Sequence, residues 1–153
     1  MSKGPSRADG IPLLVLDTNV VLDLLHFDDA MARPLRLALE DRRVGCVVTQ
    51  ATPEEWRRVL AYPEFALDAA RQAGLLARYQ ALSEMVGAAE VPAGLPNCSD
   101  PDDQKFLELA AAAGAQGLVS KDRALLKLRR RCAPHFRIMT ATEAVRWLAE
   151  TSA

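Results

Sequence analysis

The sequence predicts an α/β protein of three layers, α/β/α, with helices on both faces of a short, mostly parallel sheet. Four brief runs rich in Leu, Val and Ile, at 11–17, 44–49, 117–120 and 136–140, are separated by stretches of helical periodicity. Short strands that are apolar without alternation are buried on both sides, which a parallel sheet covered by helices provides. At 153 residues, half of them hydrophobic, the chain suits one domain with a substantial core.

The elements follow in order. Residues 1–10 read as a flexible leader, because "MSKGPSRADG" lacks the apolar stretch of a signal peptide. Residues 11–150 then form the single domain. The first strand, 11–17, passes into a helix that reaches about His26, with Thr18 or Asn19 as its cap. A second helix covers 30–42 and tolerates Pro34 only near its start. The strand at 44–49 leads to "TPEEWRRVLA", where Thr52 is placed to cap and Pro53 to take the first helical position. Pro63 closes that helix, and residues 64–84 form the next. "VPAGLPNCSDPDD" is a loop by its Pro, Gly, Asn and Asp content, and "DDQKFLELAAAAG" a helix that Gly114 ends. The strand "GLVS", the helix "DRALLKLRRR", the strand "FRIMT" and a last helix capped by Thr140 or Thr142 complete the chain.

Several function classes are excluded or disfavoured. No apolar run is long enough to span a bilayer, so no membrane association is expected. Cys46, Cys98 and Cys132 are odd in number and lack a CxxC, which fits reduced thiols in cytoplasm rather than a disulfide framework or a zinc site. There is no Walker A loop, GxGxxG or GxSxG, which disfavours nucleotide hydrolases, dehydrogenases and serine hydrolases. His26 and His135 stand far apart without a Cys or Ser motif and read as structural or surface residues. Trp56 reads as core.

The acids form the informative pattern. Asp17 ends the first strand, and Asp122 follows the "LVS" strand by two residues. Glu54 and Glu55 open the helix after the second strand, and Asp100, Asp102 and Asp103 open the helix before the third. Parallel strands with right-handed crossovers bring their carboxyl ends to one edge, where ligands bind in open α/β sheets. Taken singly, each acid in a first helical turn is explained by capping and the helix dipole. Taken together, four segments deliver like charges to one edge, which is unfavourable without a cation. Hard oxygen ligands with no His or Cys partner suit Mg²⁺ or Mn²⁺. Asp17 is accordingly read as a metal ligand.

In "LVLDTNVVL", "EEWRRVLAYPEF", "DPDDQKFLELAAAAGA" and "LVSKDRALL", taken in that order, the chain resembles a PIN-domain ribonuclease of the VapC-like kind, the toxin of bacterial toxin–antitoxin pairs. The resemblance covers roughly residues 12–145, on the usual extent of a single domain. It implies a PIN-like fold and a catalytic quartet of Asp17, Glu55, Asp103 and Asp122. Asp17, Asp103 and Asp122 would ligate metal, with Asn19 and Ser120 supporting and Asp100 open to sharing the role of Asp103. The family's further acid or aromatic residue after the last aspartate is absent, since Ala124 follows "KDR".

The implied reaction is hydrolysis of single-stranded RNA by one or two Mg²⁺ or Mn²⁺ ions that activate water and stabilise the phosphate. Glu55 would orient the water or hold a second ion. Arg57, Arg58, Lys121, Arg123, Arg129, Arg130 and Arg131 are the candidate RNA-binding residues, although a basic run such as "KLRRR" is also an ordinary solvated face. Lys121 and Arg123 flank Asp122 and would equally serve as ion-pair partners of the quartet. The implied partners are an antitoxin protein and a second copy in a homodimer, for which the helix at 64–84 would offer an apolar face. The alternatives are a PIN-like module that binds RNA or protein without cutting, and a phosphatase of the haloacid dehalogenase type. The latter wants a second aspartate two positions after the first, where this chain has Asn19.

Overall fold

The computed structural model describes residues 10–87 and 90–151, so the expected leader, apart from Gly10, lies outside the described residues. In chain order the elements begin with β1 (Leu13–Leu16), α1 (Thr18–Leu25), α2 (Arg33–Glu40), β2 (Gly45–Val48), α3 (Ala51–Leu60), α4 (Ala69–Leu82) and β3 (Ser83–Met85). They continue with α5 (Gln104–Ala113), β4 (Gly117–Val119), α6 (Arg123–Leu126), α7 (Arg129–Cys132), β5 (Arg137–Met139) and α8 (Ala141–Thr151). The sheet order is β3-β2-β1-β4-β5, with every pairing parallel.

The central strand shows why it is apolar throughout. Successive side chains point to opposite faces. Leu14 and Leu16 enter a core built with α1, α2, α3, α4 and α8. Leu13 and Val15 enter a second core built with α5, α6 and α7. Burying one such leucine stabilises the fold by about 1.5–3 kcal/mol relative to leaving it exposed. The three-layer architecture is therefore the one the sequence predicts.

Several local expectations are corrected. Asp17, rather than Thr18 or Asn19, caps α1, its side chain accepting the Asn19 N–H. Helix α3 begins at Ala51, so Thr52 and Pro53 lie within its first turn; the Thr52 hydroxyl instead accepts the Thr49 N–H at 3.1 Å. The expected helix at 64–84 is a 3-10 turn at Pro63–Phe65, the helix α4, and then β3. That strand is an edge strand of sequence SEM that pairs only with β2, so it carries no apolar run to announce it. "DRALLKLRRR" divides into α6 and α7, with Lys127 and Leu128 between them.

Other expectations hold. Pro34 sits in the first turn of α2. Gly114 ends α5 with φ +67°, a left-handed conformation that favours glycine, and its N–H closes on Ala110 and Ala111. Thr140 caps α8 in a reciprocal box: its hydroxyl accepts the Glu143 N–H and Glu143 accepts the Thr140 N–H. Trp56 is buried edge-on against Tyr79. His26 packs beside Phe27 and Phe65, and His135 is exposed. The three cysteines are free. No helix among the described residues is long and apolar enough to cross a membrane.

Candidate active site

The acids gather where the sheet changes direction. From β1 the chain passes to α1 on one face, and from β4 to α6 on the other, so the crevice outside these two carboxyl ends is the topological switch point. The Asp17 N–H donates to the Val119 carbonyl at 3.0 Å, extending the β1–β4 ladder by one residue. Its backbone is thus fixed by the sheet while its carboxylate opens the next helix.

Ser120 ties the two strand ends together. Its hydroxyl donates to Asp17 Oδ2 at 2.7 Å and accepts the Asp122 N–H at 2.9 Å, and the residue is fully buried. Asp122 in turn caps α6 by accepting the Ala124 N–H at 2.9 Å. Asp103 arrives from a third segment, the 3-10 turn Pro101–Asp103 that opens α5. One oxygen from each of Asp17, Asp103 and Asp122 lies within 4.8 Å of the others. Asp103 Oδ2 is buried with no hydrogen-bond partner.

Asp100 and Glu55 stand outside this group of three. The Asp100 carboxylate accepts the Asp102 N–H at 3.0 Å and shapes the turn that presents Asp103. Glu55 faces the same cleft, where it forms an ion pair with Lys105. Its neighbour Glu54 points away and pairs with Arg57 at 2.7 Å. Asn19 contributes its backbone N–H, which reaches Asp17 Oδ1 at 3.4 Å, while its side chain is exposed. The cleft encloses about 680 Å³ between Asp17, Glu55, Arg58, Asp103 and Lys105, with Tyr62 and Phe65 on its wall.

The basic residues are distributed less simply than their sequence positions imply. Arg58 lines the acidic cleft. Lys121 pairs with Asp23 of α1 at 3.0 Å rather than with the quartet. Arg123 is exposed directly after Asp122. Arg129 is held by Glu143 at 3.1 Å and, with Arg130, lines a separate groove of about 500 Å³ beside β5 and α8, which Arg137 and Arg146 share. Arg131 is exposed. Lys105 and Asp23 were not singled out in the sequence; the only sign of Lys105 is its position two residues after Asp103, in the first turn of the same helix.

Burial raises Asp17 above the ordinary carboxylate range, against the lowering effect of the Ser120 hydroxyl and nearby N–H groups. Burial also raises Asp103, to about 7, reinforced by Asp122 and by the charges of Asp17 and Asp100. A cluster of three carboxylates in which burial makes Asp17 and Asp103 resist ionisation, with no His or Cys among the three, fits a hard divalent cation. A sign follows for pH. The folded state keeps the Asp103 proton to about pH 7, whereas the unfolded chain releases it near pH 4, so metal-free stability from this group falls between those values. Metal must displace that proton, so affinity is expected to rise about tenfold per pH unit up to neutrality and then level off. Thermal shifts with Mn²⁺ at about pH 5.5 and about pH 8 check this, and equal shifts at both would refute it.

A parallel α/β sheet with a carboxylate cluster at its switch point defines the broad class, an α/β domain whose acids could hold a divalent cation. The sequence pattern of the PIN domain family matches residues 13–124, and the chain belongs to that family. No curated protein matches the chain. Among solved structures it is similar to a chain of the crystal structure of VapBC2 from Rickettsia felis bound to a DNA fragment from their promoter. That likeness has a TM-score of 0.52 at 13% identity, over 82% of this chain and 96% of the other. At such identity it is a likeness of fold.

Proposed function

We propose that this PIN domain is an Mg²⁺- or Mn²⁺-dependent endoribonuclease that hydrolyses phosphodiester bonds of single-stranded RNA. The observation that carries the reading is the meeting of Asp17, Asp103 and Asp122 within 4.8 Å, with one buried carboxylate oxygen of Asp103 left unpaired. When bound, a divalent ion supplies positive charge against the phosphate and lowers the pKa of a water molecule. Asp17, Asp103 and Asp122 would hold it, and Ser120 keeps two of them aimed. Glu55, across the cleft, orients the attacking water. The water oxygen bonds to phosphorus, the bond from phosphorus to one ribose oxygen breaks, and that oxygen leaves with a proton.

Substrate choice follows from the walls. Tyr62, which is exposed, and Phe65, which is partly buried and stacked on it, line the cleft and offer rings on which unstacked bases can rest, which suits single strands. Arg58 would meet a phosphate within the cleft. Arg57, Lys121 and Arg123 would meet the strand at its rim, and Arg129, Arg130 and Arg131 further along it. The family membership and the likeness to a VapBC2 chain support a toxin role in cytoplasm, with an antitoxin partner that covers the acidic edge and a homodimeric toxin. Leu75 and Tyr79 of α4 are buried, so the outward face of that helix offers a partner alanine rather than large apolar side chains.

Incubating the protein with a mixed RNA pool, with and without EDTA, tests the reading. Cleavage of single-stranded RNA that EDTA stops and excess Mn²⁺ restores is expected. Equal cleavage in both tubes would remove the metal mechanism. Tight RNA binding without any cleavage would point to a non-catalytic module.

A further inference from the structure

We infer that Lys105 acts as a built-in cation at Glu55, so that the acid cluster takes a single divalent ion rather than two. The inference rests on the metal-dependent reading above and deepens it. Two-ion sites for phosphate chemistry hold their ions about 3.5–4 Å apart, each clamped by its own carboxylates. Of the further carboxylates that line this cleft, Glu64 and Asp102 are exposed to solvent, and Glu55 is the one partly buried in it. Its Oε2 is already engaged by the Lys105 ammonium, which rises from the first turn of α5 just after Asp103. The carboxylate on which a second ion would depend is therefore already held by a side chain.

Charge balance points the same way. Asp17, Asp103, Asp122 and Glu55, the acids here that are withdrawn from solvent, carry four negative charges when ionised. Lys105 and one divalent ion leave a single net negative charge. Without Lys105, the same four carboxylates match two divalent ions. An ammonium is a compact, strongly hydrated point charge with three donors, so it can hold Glu55 as an ion would, without an ion's demand for further ligands. Lys105 is a positioning residue for Glu55 in this account. The Lys105 side chain is about half exposed, so replacing it disturbs little packing.

Counting Mn²⁺ bound to the RNA-free protein, by calorimetry and by the spin-resonance signal of free Mn²⁺, tests the inference without reference to activity. Wild type is expected to bind one Mn²⁺ per chain, and Lys105→Met two. Lys105→Arg, which keeps a cation, is expected to stay at one, and Lys105→Met combined with Glu55→Gln to return to one. Two ions on wild type, or one ion on Lys105→Met with unchanged affinity, would overturn it while leaving the metal-dependent reading intact. No Mn²⁺ binding by any of these proteins would overturn the metal site itself, and the inference with it.

Discussion

Asp17→Asn is expected to abolish RNA cleavage while leaving the fold intact or slightly more stable. The loss should be at least about a hundredfold, because even residues that only support a metal ligand are worth about 10–100-fold in affinity or activity. The stability expectation comes from the local geometry. In Asn the single amide oxygen keeps the Asn19 N–H that Asp17 accepts at Oδ1, and the amide NH2 takes the place of Oδ2, where the Ser120 hydroxyl can turn to accept from it. Asn is as good a helix cap as Asp. Removing one negative charge also relieves the crowding with Asp103 and Asp122 when no metal is present. Asp17→Ala makes the contrast, since it deletes the cap at about 0.5–2 kcal/mol and leaves the buried Ser120 hydroxyl without its acceptor. Cleavage assays paired with thermal unfolding in metal-free buffer separate the two effects. An unfolded Asp17→Asn protein would mean that Asp17 serves the fold before any chemistry.

The strand-end acids were legible in the sequence because two rules act on them together. Strand ends in a parallel sheet share an edge, and a carboxylate there needs a cap, a counter-ion or a metal. Asp17 and Asp122 satisfy the first and are placed for the third: each caps the helix that follows and each offers an oxygen to the shared group. Capping and ligation are therefore not rival explanations here, although the sequence presents them as such. Asp103 was separable from Asp100 and Asp102, which open the same helix in the sequence, only through the family resemblance. Glu55 was separable from Glu54 only through the family resemblance; the structure adds that Glu54 is turned outward to Arg57.

What the sequence concealed depends on long-range contacts. β3 forms because the chain leaving α4 meets the open edge of β2, and nothing in "SEM" itself demands a strand. Lys121 turns to Asp23, ninety-eight positions away, instead of to the acid beside it in sequence. Arg129 turns to Glu143, and its groove lies along β5 rather than in the cleft. In each case local sequence gives the charge and tertiary packing chooses its partner. The Lys105–Glu55 pair is of the same kind, and it bears most directly on the chemistry.

Ser120→Ala should be the most damaging change at a residue that offers no ligand itself. Ser120 is fully buried and its hydroxyl is used twice, donating to Asp17 Oδ2 at 2.7 Å and accepting from the Asp122 N–H at 2.9 Å. Alanine leaves a buried carboxylate oxygen and a backbone N–H without partners, which costs about 1–3 kcal/mol for the group left unpaired. It also removes the contact that most lowers the Asp17 pKa, so that carboxyl is pushed further up and binds metal less readily at neutral pH. Metal affinity is expected to fall about 10–100-fold, the range found for groups that orient a ligand. Ser120→Thr keeps the hydroxyl and should retain most of the metal affinity, its added methyl showing as a loss of stability in a packed site. Calorimetric Mn²⁺ binding and denaturant unfolding of the two variants measure these effects side by side. Unchanged Mn²⁺ affinity in Ser120→Ala would show that Asp17 and Asp122 hold their geometry without the hydroxyl between them.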